Sequence, residues 1–88
     1  MKTVRVFKLK RGKSEELIEN FTFGKYYIGV ENKGNFIVKD DRNIQWQFPI
    51  VSNENSQPCD YYFETIIDLH LDYEYQIELL RKILRGEE

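Results

Sequence analysis

The sequence is poor in the residues that carry most protein chemistry. Its 88 residues hold one cysteine, Cys59, and one histidine, His70. A lone cysteine excludes an internal disulfide and any zinc site built from several thiolates. No apolar run approaches the roughly 18 residues that a membrane span requires. Charge interrupts the apolar residues of Met1–Lys8 at every second or third position, so the start lacks the hydrophobic core of a signal peptide. There are no internal repeats and no low-complexity tract. These absences predict a soluble, cytoplasmic protein with no membrane partner.

Basic residues are also missing over a long stretch. From residue 43 to residue 80 there is no Lys or Arg, while Glu54, Asp60, Glu64, Asp68, Asp72, Glu74 and Glu78 fall inside it. Residues 1–42 carry ten Lys/Arg against six Asp/Glu, so a net charge of −2 conceals a basic first half and an acidic second half.

What the chain has in quantity is aromatic rings: six Phe, six Tyr and one Trp. A single domain of this size removes only about 60–65% of the unfolded chain's surface from water. Rings bury roughly 150–250 Å² each, so most are read as the core that a small fold needs. Residues 3–10 suit a strand with one wet face. Its apolar phase slips between Val4/Val6 and Phe7/Leu9, which predicts a bulge or a strand that changes the face it buries. Arg11–Ser14 reads as a turn, and Ser14 with Glu15 and Glu16 could cap a helical turn.

Gly24 opens the next predicted strand, in which Tyr26, Ile28 and Val30 alternate with Tyr27, Gly29 and Glu31. Asn32-Lys33-Gly34 is a tight hairpin signal, Phe36–Val38 the return strand, and Asp40–Asn43 a second turn. Ile44, Trp46 and Phe48 alternate with Gln45 and Gln47 up to Pro49. Tyr26 and Phe63 are predicted to point inward with Ile28, and Trp46 to share a face with Ile44 and Phe48. Residues 52–58 read as an exposed loop and 61–67 as a fifth strand. Beyond it, Tyr73, Ile77, Leu80 and Leu84 form a helical stripe widened by Ile83. Asp72 can cap this helix, Arg81, Lys82 and Arg85 oppose its negative end, and Gly86 can stop it.

The segment Phe21-Thr22-Phe23-Gly24-Lys25-Tyr26-Tyr27, then Phe36-Ile37-Val38 with Asp40-Asp41, then Trp46, then Tyr62-Phe63-Glu64, resembles a pattern found in small SH3-like β-barrel proteins of bacteriophages and Firmicutes mobile elements. There, a hydrophobic-Thr-x-Gly-Lys-x-Tyr segment starts a strand, a hairpin edge ending in two aspartates follows, and an aromatic-Phe-Glu segment closes the barrel. The likeness covers roughly residues 3–66 and speaks for fold more than role. It implies a mainly β chain with a five-stranded SH3-like barrel over 1–68; the α-helix that the apolar stripe predicts over 72–86 is an appendage that departs from the pattern, within one domain. It also implies a phage or mobile-element origin, with the host cytoplasm as location.

No catalytic residue and no metal or cofactor site is assigned. Cys59 and His70 could form a thiolate–imidazole couple, but no third orienting group is indicated. Asp68, His70 and Asp72 read as solvated linker residues rather than ligands. Gly24, Gly29 and Gly34 fit strand starts and turns, not a phosphate cradle. The functional expectation is therefore a non-enzymatic accessory protein. Its predicted docking surface is Tyr62, Glu64, Asp68, Asp72, Tyr75 and Glu78, meeting a basic patch of a host or defence protein and modulating or inhibiting it. The alternative is nucleic-acid binding through Arg5, Lys8, Lys10, Arg11 and Lys13. Pairing of the first and last strands would set Arg5 and Lys8 near Asp60 and Glu64 and neutralise part of that charge. The helix is expected either to pack on the barrel or to pair with a second copy as a homodimer.

Overall fold

The computed structural model describes residues 2–13, 15–52 and 57–84. Five strands, β1 (Lys2–Leu9), β2 (Tyr27–Asn32), β3 (Asn35–Lys39), β4 (Gln45–Pro49) and β5 (Phe63–Leu71), form one antiparallel sheet in the order β4-β3-β2-β1-β5. A short helix α1 (Cys59–Tyr62) precedes β5, and α2 (Glu74–Leu84) follows it. The first and last strands pair as expected. The sheet is nevertheless open: β4 and β5 are its two edges and are not hydrogen-bonded to each other. It curls far enough that the rings of Phe48 on β4 and Phe63 on β5 lie 5.2 Å apart. The concave side is roofed by other parts of the chain, with Leu17, Phe21 and Cys59 completing its core.

The slip in β1 reflects a strand that serves two cores. Val4 packs with Ile28 of β2 and Ile77 of α2 on one face. Phe7 and Leu9 join Tyr27, Phe36, Val38, Phe48 and Phe63 on the other. The partner strand carries the irregularity: Val6 pairs with Ile67 and Phe7 with Thr65, so Ile66 is the extra residue of a bulge.

The β2–β3 hairpin turns through Lys33 and Gly34, both at positive φ (52° and 83°), the conformation a two-residue turn needs to match strand twist. Gly29 lies in mid-strand rather than at a strand start or turn. Strand β2 begins at Tyr27, three residues after Gly24, which was expected to open it. Tyr27 is the buried ring and Tyr26 is exposed, because Tyr27 pairs with Phe7 on the aromatic face. Ile28 then falls on the opposite face from Phe63. Trp46 and Phe48 do share a face, stacked at 6.0 Å, but Ile44 precedes the strand and is half exposed.

The fifth strand also starts later and runs further than predicted. Tyr61 and Tyr62 belong to α1, which follows Pro58 and closes with the Phe63 amide donating to the Cys59 carbonyl. Asp68 and His70, expected in a linker, lie within β5. Helix α2 packs on the sheet through Ile77, Leu80 and Leu84, whereas Tyr73 stays exposed. Its start is capped by Gln76 rather than Asp72: the Gln76 Oε1 accepts from the Asp72 and Tyr73 amides at 3.1 and 3.0 Å. The proposed cap at Ser14, part of the 52–58 loop (Asn53–Ser56) and the helix-end residues Arg85 and Gly86 lie outside the described residues.

Candidate binding surfaces

Four residues of the resembling pattern, Thr22, Lys25, Tyr27 and Trp46, converge on two aspartates. Asp40 is buried, and its carboxylate accepts from the Arg42 amide (2.8 Å), the Ile44 amide (2.9 Å) and the Trp46 indole (2.9 Å). The Arg42 guanidinium adds a contact at 3.0 Å. Burial alone would push this carboxyl up, but the donors outweigh it and hold its pKa at about 2. Asp41 accepts from the Tyr27 hydroxyl (2.6 Å), the Thr22 hydroxyl (2.7 Å) and the Lys25 ammonium (3.0 Å). The Thr22 amide in turn donates to the Tyr27 oxygen at 2.7 Å. Burial and Asp41 push the Tyr27 phenol up to about 12. Thr22, Lys25 and Tyr27 thus clamp the segment before β2 onto the β3–β4 turn. Their role in the fold is positional, since each polar group is occupied by another.

A different arrangement lies at the far end of β1. Lys8, Lys10, Arg11 and Lys13 surround an open groove of about 510 Å³ that also touches Phe23, Gly24 and Glu64. Three of these cations sit over rings: Lys8 over Tyr26 at 4.7 Å, Arg11 over Phe23 at 5.1 Å and Lys13 over Tyr61 at 5.4 Å. Among the described residues, none of those three has a carboxylate within ion-pair distance. Lys10 donates to the Asp60 carbonyl. Arg5 is set apart from this group. It pairs with Asp68 and, at 3.7 Å, with Asp60, while its guanidinium lies 4.7 Å from the Phe36 ring centre.

The six acidic and tyrosine residues do not share one surface. Strand register places Glu64 opposite Lys8 and Asp68 opposite Arg5, and the bulge at Ile66 leaves these two carboxylates on opposite faces of the sheet. Asp68 is bound by Arg5, and Glu78 by Arg81 on its own helix. Tyr62 is half-buried against Phe48, and burial together with a hydrogen bond to Glu16 pushes its phenol up to about 12. Asp72 and Tyr75 are exposed. Tyr75 stacks on Tyr73 at 5.8 Å, and the neighbouring Glu74 is held below the usual carboxylate range by its hydrogen bond from Lys2.

Cys59 is buried in the aromatic core, where burial and Asp60 push its thiol up to about 12. Its reaction with a disulfide reagent at neutral pH is expected to be at least about 100-fold slower in the folded protein than in denaturant. Equal rates would show that the site opens freely. His70 is exposed on β5, paired with Thr3. Among the described residues no group of three or more His, Cys, Asp or Glu is placed to hold a metal ion, and no helix is long and apolar enough to cross a membrane.

Comparisons with family models, with curated proteins and with solved structures find no match to this chain. The groove was legible as a basic stretch in the sequence. Its rings were not, because Phe23 at the groove and Tyr26 and Tyr61 under Lys8 and Lys13 come from segments distant in sequence from the basic stretch.

Proposed function

We propose that this chain is a non-enzymatic binding module that takes a single-stranded nucleic acid in the groove formed by Lys8, Lys10, Arg11 and Lys13. The observation that carries this reading is the placement of four cations and the Phe23 ring around one open groove, with Tyr26 and Tyr61 beneath two of those cations. Cations track a phosphate backbone, and a cation drawn from its ring to a phosphate uncovers a face on which a base can stack without regard to sequence. A groove rather than a flat patch suits an unpaired strand. The similarity to SH3-like phage proteins fits a small accessory factor of this kind acting in a host cell.

The test is fluorescence anisotropy with a labelled single-stranded oligonucleotide. With three or four phosphates neutralised, affinity should fall about 20- to 50-fold between 50 and 200 mM salt. Reversing Arg11 and Lys13 to Glu, both exposed, should abolish binding while leaving the circular dichroism spectrum intact. Binding that ignores both salt and the reversals overturns the reading.

A second reading is docking on a host or defence protein, which it would modulate or inhibit. It is favoured by the exposed Tyr73–Tyr75 stack beside Glu78 on α2. It involves the helix rather than all six predicted residues. Under it, Tyr75→Ala with Glu78→Lys loses capture of the partner, and the groove reversals do not.

A further inference from the structure

The two edges of the sheet differ in how they are ended. Strand β4 is five residues long and finishes at Pro49, whereas β5 runs for nine residues without Lys, Arg or Pro. Charged residues of one sign, proline and shortness are the usual guards against edge-to-edge pairing. The guards on β5 are the charges of Glu64 and Asp68, the second of them paired with Arg5, and its bulge at Ile66, which confines a regular ladder to residues 67–71. No described strand pairs with its outer side, and Ile67, on the face that carries α2, is 49% exposed.

We propose that this edge pairs with the same edge of a second copy, antiparallel and centred on Leu69, to give a continuous ten-stranded sheet. Register with β1 puts Ile67, Leu69 and Leu71 on the face that carries α2, and Asp68 and His70 on the other. A two-fold axis through Leu69 sets Ile67 against the partner copy's Leu71 and Leu69 against its own equivalent. It also sets Asp68 against His70 twice. Neighbouring registers are worse. Centring on Asp68 faces two carboxylates, centring on His70 faces two imidazoles, and a shift of half a step would pair residues from opposite faces. The occupant is therefore a second copy, because apolar and polar residues are complementary to themselves in this one register. The ladder spans only five residues per chain, so the contact is weak and reversible. It uses neither the nucleic-acid groove nor the buried stripe of α2.

Sedimentation equilibrium of the full chain, up to about 1 mM, tests this. Concentration-dependent dimerisation is expected, and a monomer throughout that range overturns the proposal. His70→Asp, which places carboxylates opposite each other in both pairs, should weaken the dimer about tenfold, and His70→Lys should preserve it. His70 is exposed, so both variants should keep the fold, checked by their circular dichroism spectra and melting curves. Dimers unaffected by either change would place the interface elsewhere. Loss in both alike would remove the Asp68–His70 pairing from the explanation.

Discussion

Replacing Asp40 by Asn is expected to lower the melting midpoint by roughly 10–20 °C, from a loss of about 2–4 kcal/mol. Four donors point at this one buried carboxylate: the amides of Arg42 and Ile44, the Trp46 indole and the Arg42 guanidinium. An asparagine of the same shape can turn its carbonyl oxygen toward only one side. If that oxygen serves the two amides, its own amide group meets the indole and the guanidinium, donor against donor. Either orientation leaves buried donors without acceptors, and each such group costs its full desolvation. The same site sets the acid limb of stability. The native pKa of Asp40 is about 2, below its ordinary 3.8. Its contribution is therefore complete above about pH 4 and drains away as pH falls toward 2. Asp41, also lowered, adds in the same direction. Thermal melts between pH 2 and pH 7 should show a steep acid limb in the native protein and a shallower one in the variant. A variant with an unchanged midpoint, or with the same slope in acid, would mean that the network around Asp40 does not hold the turn.

Which features could be read beforehand depended on whether their physics was local. The hairpin at Lys33-Gly34, the alternation of Trp46 with Phe48 and the helical stripe of Ile77, Leu80 and Leu84 are each fixed by residues within a few positions of one another, and all three are present. The slip in β1 was visible because a strand buried on both faces must break simple alternation. Its consequence was not, because the bulge lies on the partner strand at Ile66, 60 residues away in sequence. That bulge also explains why Glu64 and Asp68, four residues apart, do not form one acidic surface. Phase decided the other discrepancies. Tyr26 and Tyr27 are chemically equivalent in the sequence, and only the pairing of Tyr27 with Phe7 selects the buried one. The open sheet has a roof over its concave side, built by Leu17, Phe21 and Cys59 from segments that carry little periodic signal. The aspartate pair was legible as a motif. That it gathers Thr22, Lys25 and Tyr27 required the fold.

Gly29→Ala is expected to destabilise the protein by about 1–3 kcal/mol, although it adds only one methyl group. A Cβ at this position would lie 2.4 Å from Phe7 Cε2 and 3.3 Å from Phe36 Cβ. The obstacle is steric, since Gly29 is not in the left-handed region. In an open strand the same change would be mildly favourable, because alanine loses less backbone freedom on folding. Here the neighbour cannot yield. Phe7 is fully buried, held edge-on against Phe36 at 5.4 Å and tilted against Phe63 at the same separation. Moving its ring shifts both contacts, and with them the meeting of β4 and β5 through Phe48. The absent side chain thus lets the central strands bring their rings onto one curled face. A double-mutant cycle separates this from loss of strand propensity. Phe7→Leu alone should destabilise by lost ring packing, and Gly29→Ala should cost much less in that background, giving a coupling of about 1 kcal/mol or more. Strictly additive effects in denaturant melts would show that the methyl group does not compete with the Phe7 ring for the same space.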